Sequence, residues 1–464
     1  MWNFNDWRSG CLYALCLASL SGCGGEDTPN DPGDPSDPSD VNAEVSENIT
    51  TVVNVSWTTE SETRGLVEYG PTPDLGLSTP LEADDATEHR VPLLGLKAET
   101  EYFYRVVLDD ERASAVASVT TGSLPVDLPV LTGGGEGNDL FTLVPVLGAS
   151  TAVTMLDPEG EIVWYYQDNR ALDFYRARLS VDGKSIVYNA GSVSGDPADN
   201  SELVRVSLDG SKSSSTPVPL LAHDFVEHPD GTLGAIVVEY RDVDGTELRG
   251  DKIVEVSPDG TQTTVFSVFD CFDPALTMHE EIEHGWTFAN ALDYDPEEGA
   301  YYLGMRNFSS IAKIDRESGE CEWVLGTYGA LGDTCGAERC FTFASGAARF
   351  LHQHQFEIRG NRALVFDNDG STERESRVLE YELDFDAMVA TEVWNYLSDP
   401  VVFTFVLGEP TRLENGDTFV NWSAAGQMER VSASGSSLWK VNTEAGYIFA
   451  FNTLAKSPYD GSSR

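Results

Sequence analysis

The stretch "LDPEGEIVW" (Leu156–Trp164) places a tryptophan four residues after a glycine. The same offset recurs in "IDRESGECEW" (Ile314–Trp323, with Gly319 and Trp323) and in "VSASGSSLW" (Val431–Trp439, with Gly435 and Trp439). "SLDG" (Gly210) and "SPDG" (Gly260) continue the series from Gly160 at intervals of 50. A second series of turns falls between these: "SVDG" (Gly183), "HPDG" (Gly231), "DPEEG" (Gly299), "IRGN" (Gly360) and "LENG" (Gly416). Two interleaved turn series with this period describe a four-stranded unit repeated along the chain. That pattern is the signature of a β-propeller. Six blades are expected, the fifth keeping its Trp394 without the glycine turn. An irregular β-sandwich leaves the repeated offset unexplained.

The propeller is expected over residues 130–464, and no long stretch before it has helical periodicity. Residues 45–123 read as short alternating strands. "TTVVNVSWTT" (Thr50–Thr59) carries an inward Trp57, and "LKAETEYFYRVVL" (Leu96–Leu108) puts Thr100, Tyr102, Tyr104 and Val106 on one face. This segment resembles the fibronectin type III family with its tyrosine corner, although Ala98 stands where that family usually has proline. The fold class is therefore all-β: a six-bladed β-propeller preceded by a small fibronectin type III-like β-sandwich.

Acidic residues outnumber basic ones 77 to 29, for a formal charge of −48. Such a surface repels phosphate backbones, so no nucleic acid is expected as a partner. Residues 1–22 read as an export signal, because "CLYALCLASLSG" (Cys11–Gly22) is apolar but too short to span a bilayer. Leu20-Ser21-Gly22-Cys23 resembles the bacterial lipobox, which makes Cys23 the expected lipid anchor. Residues 23–44, rich in Pro, Asp, Gly and Ser, read as a disordered tether. Gly24 lacks the aspartate associated with inner-membrane retention, so the expected location is the bacterial outer membrane, cell surface or periplasm, with membrane contact through the lipid only. Cys271, Cys321, Cys335 and Cys340 remain after processing, and four cysteines allow three pairings. Cys335–Cys340 closes a small loop in "CGAERC", which leaves Cys271–Cys321. No metal is expected: the cysteine spacing lacks the paired form zinc prefers, and "DNDG" (Asp367–Gly370) lacks the rest of a calcium loop.

The repeat also locates the chain's scarce histidines, seven in all. "RFLHQHQFEI" (Arg349–Ile358) reads as a strand with His352 and His354 on one face. A blade begins with its innermost strand, which lines the channel. Blade three begins "AHDFVEHPDG" and blade five "HQHQFEIRGN", so His223 and His354 fall at equivalent inner positions. Blade four offers Phe288 at about that place, and its next strand carries Arg306. Two imidazoles and a guanidinium are thus expected to converge at one mouth of the channel. Asp224, next to His223, is a weaker candidate to orient that ring, because adjacent strand residues point to opposite sides.

Four stretches stand out as long, ordered matches: "WTFANALDYDPEEGAYYLGMRNFSSIAKIDRESGECEWVLG" (Trp286–Gly326), "QHQFEIRGNRALVFDND" (Gln353–Asp369), "SRVLEYELD" (Ser376–Asp384) and "NGDTFVNW" (Asn415–Trp422). On these, over roughly residues 130–464, the chain resembles the bacterial arylsulfate sulfotransferase family, the exported type that uses no nucleotide sulfate. The resemblance implies aryl sulfates and phenolic small molecules as partners and no cofactor. It implies His354 as the nucleophile that becomes a sulfohistidine. His223 maps to a second catalytic histidine, expected as proton donor and base, and Arg306 to the arginine that holds sulfuryl oxygens. A further family histidine belongs in a "WTHAN"-type segment, which here reads Trp286-Thr287-Phe288-Ala289-Asn290, so Phe288 replaces it. His279, His284 and His352 are the nearest alternative donors, and none lies at the matching place. Phe288 and Trp286 are expected to stack on an aryl ring, and His352 to stand either behind His354 or on the solvent rim. The alternative expectation is a surface-anchored binding propeller that has lost the chemistry.

Overall fold

The computed structural model describes residues 38–168, 170, 172–193, 196–274, 285–326, 338–368 and 374–460. The export signal, Cys23, His279, His284 and Cys335 lie outside these residues.

Strong β formers in alternation build two sheets at the N-terminal end. Ser39–Val45, Val53–Thr63 and Ala86–Leu93 pair in one. Leu77–Ser78, Gly65–Gly70, Glu101–Leu108 and Ala117–Thr120 pair in the other. Their inner faces bury Trp57, Tyr102, Tyr104 and Val106 in one apolar cluster. The tyrosine corner is present: the backbone N–H of Lys97 donates to the Tyr102 hydroxyl at 3.0 Å. The sandwich begins earlier than expected, since Ser39–Val45 pairs with Val53–Thr63 where a disordered tether was expected through residue 44. The reason is local: Val41, Ala43 and Val45 alternate and pack on the sandwich core.

The rest of the described chain is a β-propeller of antiparallel four-strand units. One runs Asp173–Leu179, Ser185–Val193, Asp196–Ser207, Ser213–Pro217, and the next Leu221–Glu227, Leu233–Val243, Thr246–Val256, Gln262–Ser267. Ala289–Asp295 opens a third, followed by Ala300–Met305, Ser310–Asp315 and Cys321–Gly326. Phe356–Arg359 opens another, with Arg362–Asp367, Arg377–Asp384 and Val389–Tyr396; the short strand Cys340–Phe343 bridges it to its predecessor. Glu409–Arg412, Thr418–Asn421, Gln427–Val431 and Ser437–Thr443 follow, and Leu131–Gly133 joins their outer edge. The unit formed by Phe141–Leu147, Ala152–Leu156 and Ile162–Gln167 takes its innermost strands, Ile448–Phe449 and Thr453–Ala455, from the C-terminal end. Both ends of the propeller segment thus stitch the ring shut.

The repeated glycine–tryptophan offset has a physical cause. Gly160, Gly210, Gly260, Gly319 and Gly435 all take positive φ, between 69° and 89°, in the tight turn before an outer strand. After Gly160, Gly319 and Gly435 the tryptophan four residues on reaches the neighbouring unit. Trp164 donates its indole N–H to the Leu208 carbonyl at 2.7 Å, and Trp439 packs so close to Gly160 that a Cβ there would sit 3.2 Å from its ring. The Cys271–Cys321 disulfide links adjacent units. The sandwich is docked on the propeller by Thr50 N–H to the Tyr165 hydroxyl at 3.0 Å and Ser46 Oγ to the Asp209 carbonyl at 2.7 Å. From the C-terminal end, the Tyr459 hydroxyl donates to the Pro92 carbonyl at 3.0 Å.

A buried charged cluster plugs the channel. Arg176, 2% exposed, pairs with Asp224 at 3.0 Å and with Glu409 at 2.9 Å, and it donates to the Asn452 carbonyl at 2.5 Å. Gln355 Nε2 donates to the same Asp224 at 2.6 Å. Removing one member of such a set leaves the others charged and unpaired. Arg176→Ala is therefore expected to lower unfolding stability by about 3–5 kcal/mol, read as a shift in the denaturant midpoint. A loss within about 0.5 kcal/mol, the range of ordinary surface substitutions, would show that the plug does not hold the ring.

Candidate active site

The site is the neighbouring row of the plug. Four of the five plug residues immediately follow a ring-bearing residue: Tyr175 before Arg176, His223 before Asp224, His354 before Gln355, Phe451 before Asn452; Glu409 follows Gly408. Asp224 is turned away from His223 and spent on Arg176, Gln355 and the Leu292 N–H. It does not orient the imidazole.

His223 is 6% exposed and lies flat against Tyr175, with ring centres 4.9 Å apart and planes at 14°. Its other side meets the Phe288 ring edge-on at 5.1 Å. The Arg306 guanidinium sits over that same phenylalanine at 5.8 Å and donates to Asn307 Oδ1 at 3.1 Å. His354 is 1% exposed, and its Nδ1 lies 2.8 Å from Asn368 Oδ1. Burial first, then the positive Arg306, hold the His354 pKa well below the ordinary 6.5. The Asn368 hydrogen bond opposes them, and His223 adds a further downward push. His354 is thus a neutral ring in the field of a fixed cation. The structure brings together His223, Phe288, Arg306 and His354.

Three expectations change. His352 and His354 do not share a strand face: the strand begins at Phe356, and His352 takes a left-handed φ of 51°. Its backbone N–H donates to Ser309 Oγ at 3.1 Å, which fixes that bend. Trp286 is a core residue rather than a stacking platform. It is 3% exposed and packs against Phe269 at 4.9 Å and Phe308 at 5.3 Å. Phe288, in turn, is not the register partner of the inner histidines. Leu292 packs on the preceding unit as Phe225 and Phe356 do on theirs, so the matching position two residues earlier is Asn290. Phe288 stands just outside the strand at φ 46°, a conformation costly for a bulky side chain.

That bend is held from below. The buried Asp251 carboxyl accepts from Thr287 Oγ1 at 2.5 Å and from the Ala289 N–H at 2.8 Å, one residue either side of Phe288. The Arg306 N–H closes on the Phe288 carbonyl at 3.0 Å. Burial pushes the Asp251 pKa up to about 6. Leu220, His352 and Leu407 also take positive φ shortly before inner strands, so a left-handed step on entry is a feature of the repeat.

Sequence reasoning missed Tyr175, Asn290 and Asn368. Tyr175 had a signal: it stands eight residues before Gly183, as His223 does before Gly231 and Gly408 before Gly416. Asn290 hides because its turn, "DPEEG", is one residue longer. It is fully buried, and its amide N–H donates to the Gln353 carbonyl at 2.9 Å. Two residues of "DNDG", Asp367 and Asn368, are described. Asp367 pairs with Arg377 at 2.8 Å, and Asn368 meets His354. Of the other histidines, His89 is buried in the sandwich, and His228 bonds the Tyr301 hydroxyl at 2.6 Å between two units. A cavity of about 1020 Å³ opens at the opposite mouth, lined by Arg178, Asp293, Glu357 and Arg412. It lies beyond the plug and includes none of His223, Arg306 or His354.

Comparison with known proteins adds a family. A family model described as Arylsulfotransferase (ASST) matches residues 136–457. A second, described as Purple acid Phosphatase, N-terminal domain, matches residues 38–121, the β-sandwich. Comparison with curated proteins finds no match. Among solved structures, a protein of unknown function from Bacteroides caccae is 11% identical over 68% of this chain and 99% of its own, with a TM-score of 0.42. A streptogramin B lyase is 12% identical over 70% and 98%, at 0.40. The Myceliophteria thermophila Cps50 (Swd1) β-propeller domain is 11% identical over 70% and 96%, at 0.38. These structural likenesses carry no functional argument.

Proposed function

From the premise that the chain belongs to the arylsulfotransferase family, we propose that it moves a sulfuryl group from an aryl sulfate ester to a phenolic acceptor through a sulfohistidine on His354. The observation that carries this reading is the buried, neutral His354 lying in the field of Arg306 and His223. A neutral imidazole can attack sulfur through a ring nitrogen. The N–S bond forms as the S–O bond to the phenol breaks. The departing phenolate, whose conjugate acid has a pKa of about 10, takes a proton from His223. In the second half the acceptor phenol gives its proton to His223 and attacks the same sulfur, which frees His354. Arg306 supports the sulfuryl oxygens as charge shifts, and its fixed positive charge supplies this without a proton transfer. Tyr175 and Phe288 offer aromatic walls to an aryl group.

Export and a lipid at Cys23 belong to the same proposal. The Cys271–Cys321 disulfide supports an oxidising compartment. Cys23→Ser should move the protein from the membrane to the soluble fraction of the expressing bacterium, and unchanged membrane association would refute the anchor.

Nitrophenyl sulfate with a phenol acceptor tests the chemistry. Nitrophenolate release should rise with acceptor, and His354→Ala should abolish it. Release that survives the substitution removes His354 from the role. Because the pKa of His354 is held well below 6.5, the ring stays neutral, and the rate should stay high, into mildly acidic solution. Arg306→Gln removes a positive neighbour, eases protonation, and should move the acid limb upward in pH besides lowering the rate. An unmoved limb would mean that another group governs it.

Phe288 favours a second reading, a binding propeller without turnover, because an apolar ring occupies the ground between His223 and Arg306. Losing one donor to developing charge typically costs on the order of 10²–10³ in rate. Phe288→His should raise turnover on small aryl sulfates by up to that factor. Aryl sulfate binding with no turnover in the natural protein, and turnover gained in the variant, would establish the second reading. A fall in rate would show that the phenylalanine serves the reaction as it stands.

A further inference from the structure

We infer that Asn368 is the positioning residue that holds His354 as its Nδ1–H tautomer and so presents the Nε2 lone pair to the reacting sulfur; the inference rests on the transferase reading above. Asn368 stands just past the end of the strand Arg362–Asp367, is 1% exposed, and has its amide pinned on both sides. Its Nδ2 lies 2.8 Å from the Thr404 carbonyl and 2.8 Å from the Leu407 carbonyl. Carbonyl oxygens only accept, so the amide must turn its NH₂ toward them. The carbonyl end of the same amide, Oδ1, is then left facing His354 Nδ1 at 2.8 Å. An amide oxygen also only accepts, so the proton of the neutral ring resides on Nδ1. Nε2 is the nitrogen left basic. The two accepting carbonyls thus choose the histidine's tautomer by way of one asparagine.

The anchoring reaches further. Ser376 Oγ donates to the Asn368 carbonyl at 3.0 Å, and Thr404 N–H donates to Ser376 Oγ at 2.8 Å. Asn368 is therefore held through both backbone and side chain by the segment that leads into Gly408. The charged and titratable groups around His354 come from several strands. Arg306 and His223 act on it across the mouth. Arg176, Asp224 and Glu409 lie beneath in the plug, committed to one another. Asp367 beside Asn368 is committed to Arg377. The His352 backbone also hydrogen-bonds His354 and, like Asn368, favours the protonated ring; among the side chains named here, Asn368 is the one that meets a ring nitrogen, Nδ1, at 2.8 Å.

Nitrogen-15 NMR of ring-labelled histidine in the full-length protein reads the tautomer directly, with His354→Ala to assign the signal. The expected spectrum at neutral pH has a protonated, pyrrole-type Nδ1 and an unprotonated, pyridine-type Nε2. The reverse assignment overturns the inference even if the protein is an active transferase. The expected assignment in an inactive protein upholds it while the transferase reading falls. Asn368→Ala should lose the single Nδ1–H form and slow nitrophenolate release on the order of 10- to 100-fold, the range in which outer partners of imidazole ligands act. Asn368→Asp keeps an acceptor toward the ring. It should retain the Nδ1–H form and move the acid limb of the rate upward, because a carboxylate favours the protonated ring. A folded Asn368→Ala protein with an unchanged tautomer, or an Asn368→Asp profile with an unmoved limb, overturns the positioning role. If Asn368→Ala does not fold, the wild-type spectrum and the Asn368→Asp profile decide.

Discussion

A guanidinium buried inside a closed ring must be neutralised from several directions at once, and Arg176 meets that demand with strands far apart in the chain. Asp224 and Glu409 reach it from two different units, and Asn452, just before the last strand, supplies a backbone carbonyl. The isolated charge would be too costly to bury. Satisfying it fixes the height at which the inner strands converge. Where the plug residue lies in a strand, as Arg176 and Asp224 do, alternation turns the residue before it, Tyr175 or His223, to the other side. The site is thus the neighbouring row of the seal that closes the channel.

The seal also sets the electrostatic character of the site. His354 is 1% exposed and lies in the field of Arg306. Burial and a nearby cation both disfavour the imidazolium. A ring kept neutral in this way keeps one nitrogen lone pair free of a proton. The apolar wall built from Tyr175, Leu407 and Phe451 adds to the same effect, since those side chains form one buried cluster beside the two histidines. Phe288 continues that wall between His223 and Arg306, and Asp251 holds it there through the residues on either side.

The sandwich contributes no side chain to this arrangement among the described residues. Its role is mechanical: Tyr459, just beyond the closing strands, inserts into its edge between Pro92 and Leu94. The contact ties the closure of the ring to the docking of the N-terminal module, so that the first and last parts of the described chain brace each other.

Local chemistry repeated along a chain is legible without a structure. Glycines at positive φ followed at fixed distance by tryptophan announced the propeller, and Trp57 with Tyr102 announced the sandwich. His223, Arg306 and His354 were legible too, because the repeat and the family resemblance pointed to the same residues. Turn lengths defeated the finer reading. One extra residue in "DPEEG" hid Asn290 behind Phe288, and a left-handed residue broke the alternation that paired His352 with His354. Trp286 looked like a platform from its neighbours in sequence and is core by its neighbours in space. The plug, ring closure by the C-terminal strands, and the double anchoring of Asn368 join residues as far apart in the chain as Phe141 and Ala455. By itself the sequence determined the repeating unit and the reactive residue types, since both follow from short-range turn and strand chemistry. Only the tertiary structure decided which side chains meet, because burial and charge neutralisation across the channel belong to the closed ring and to no single segment of it.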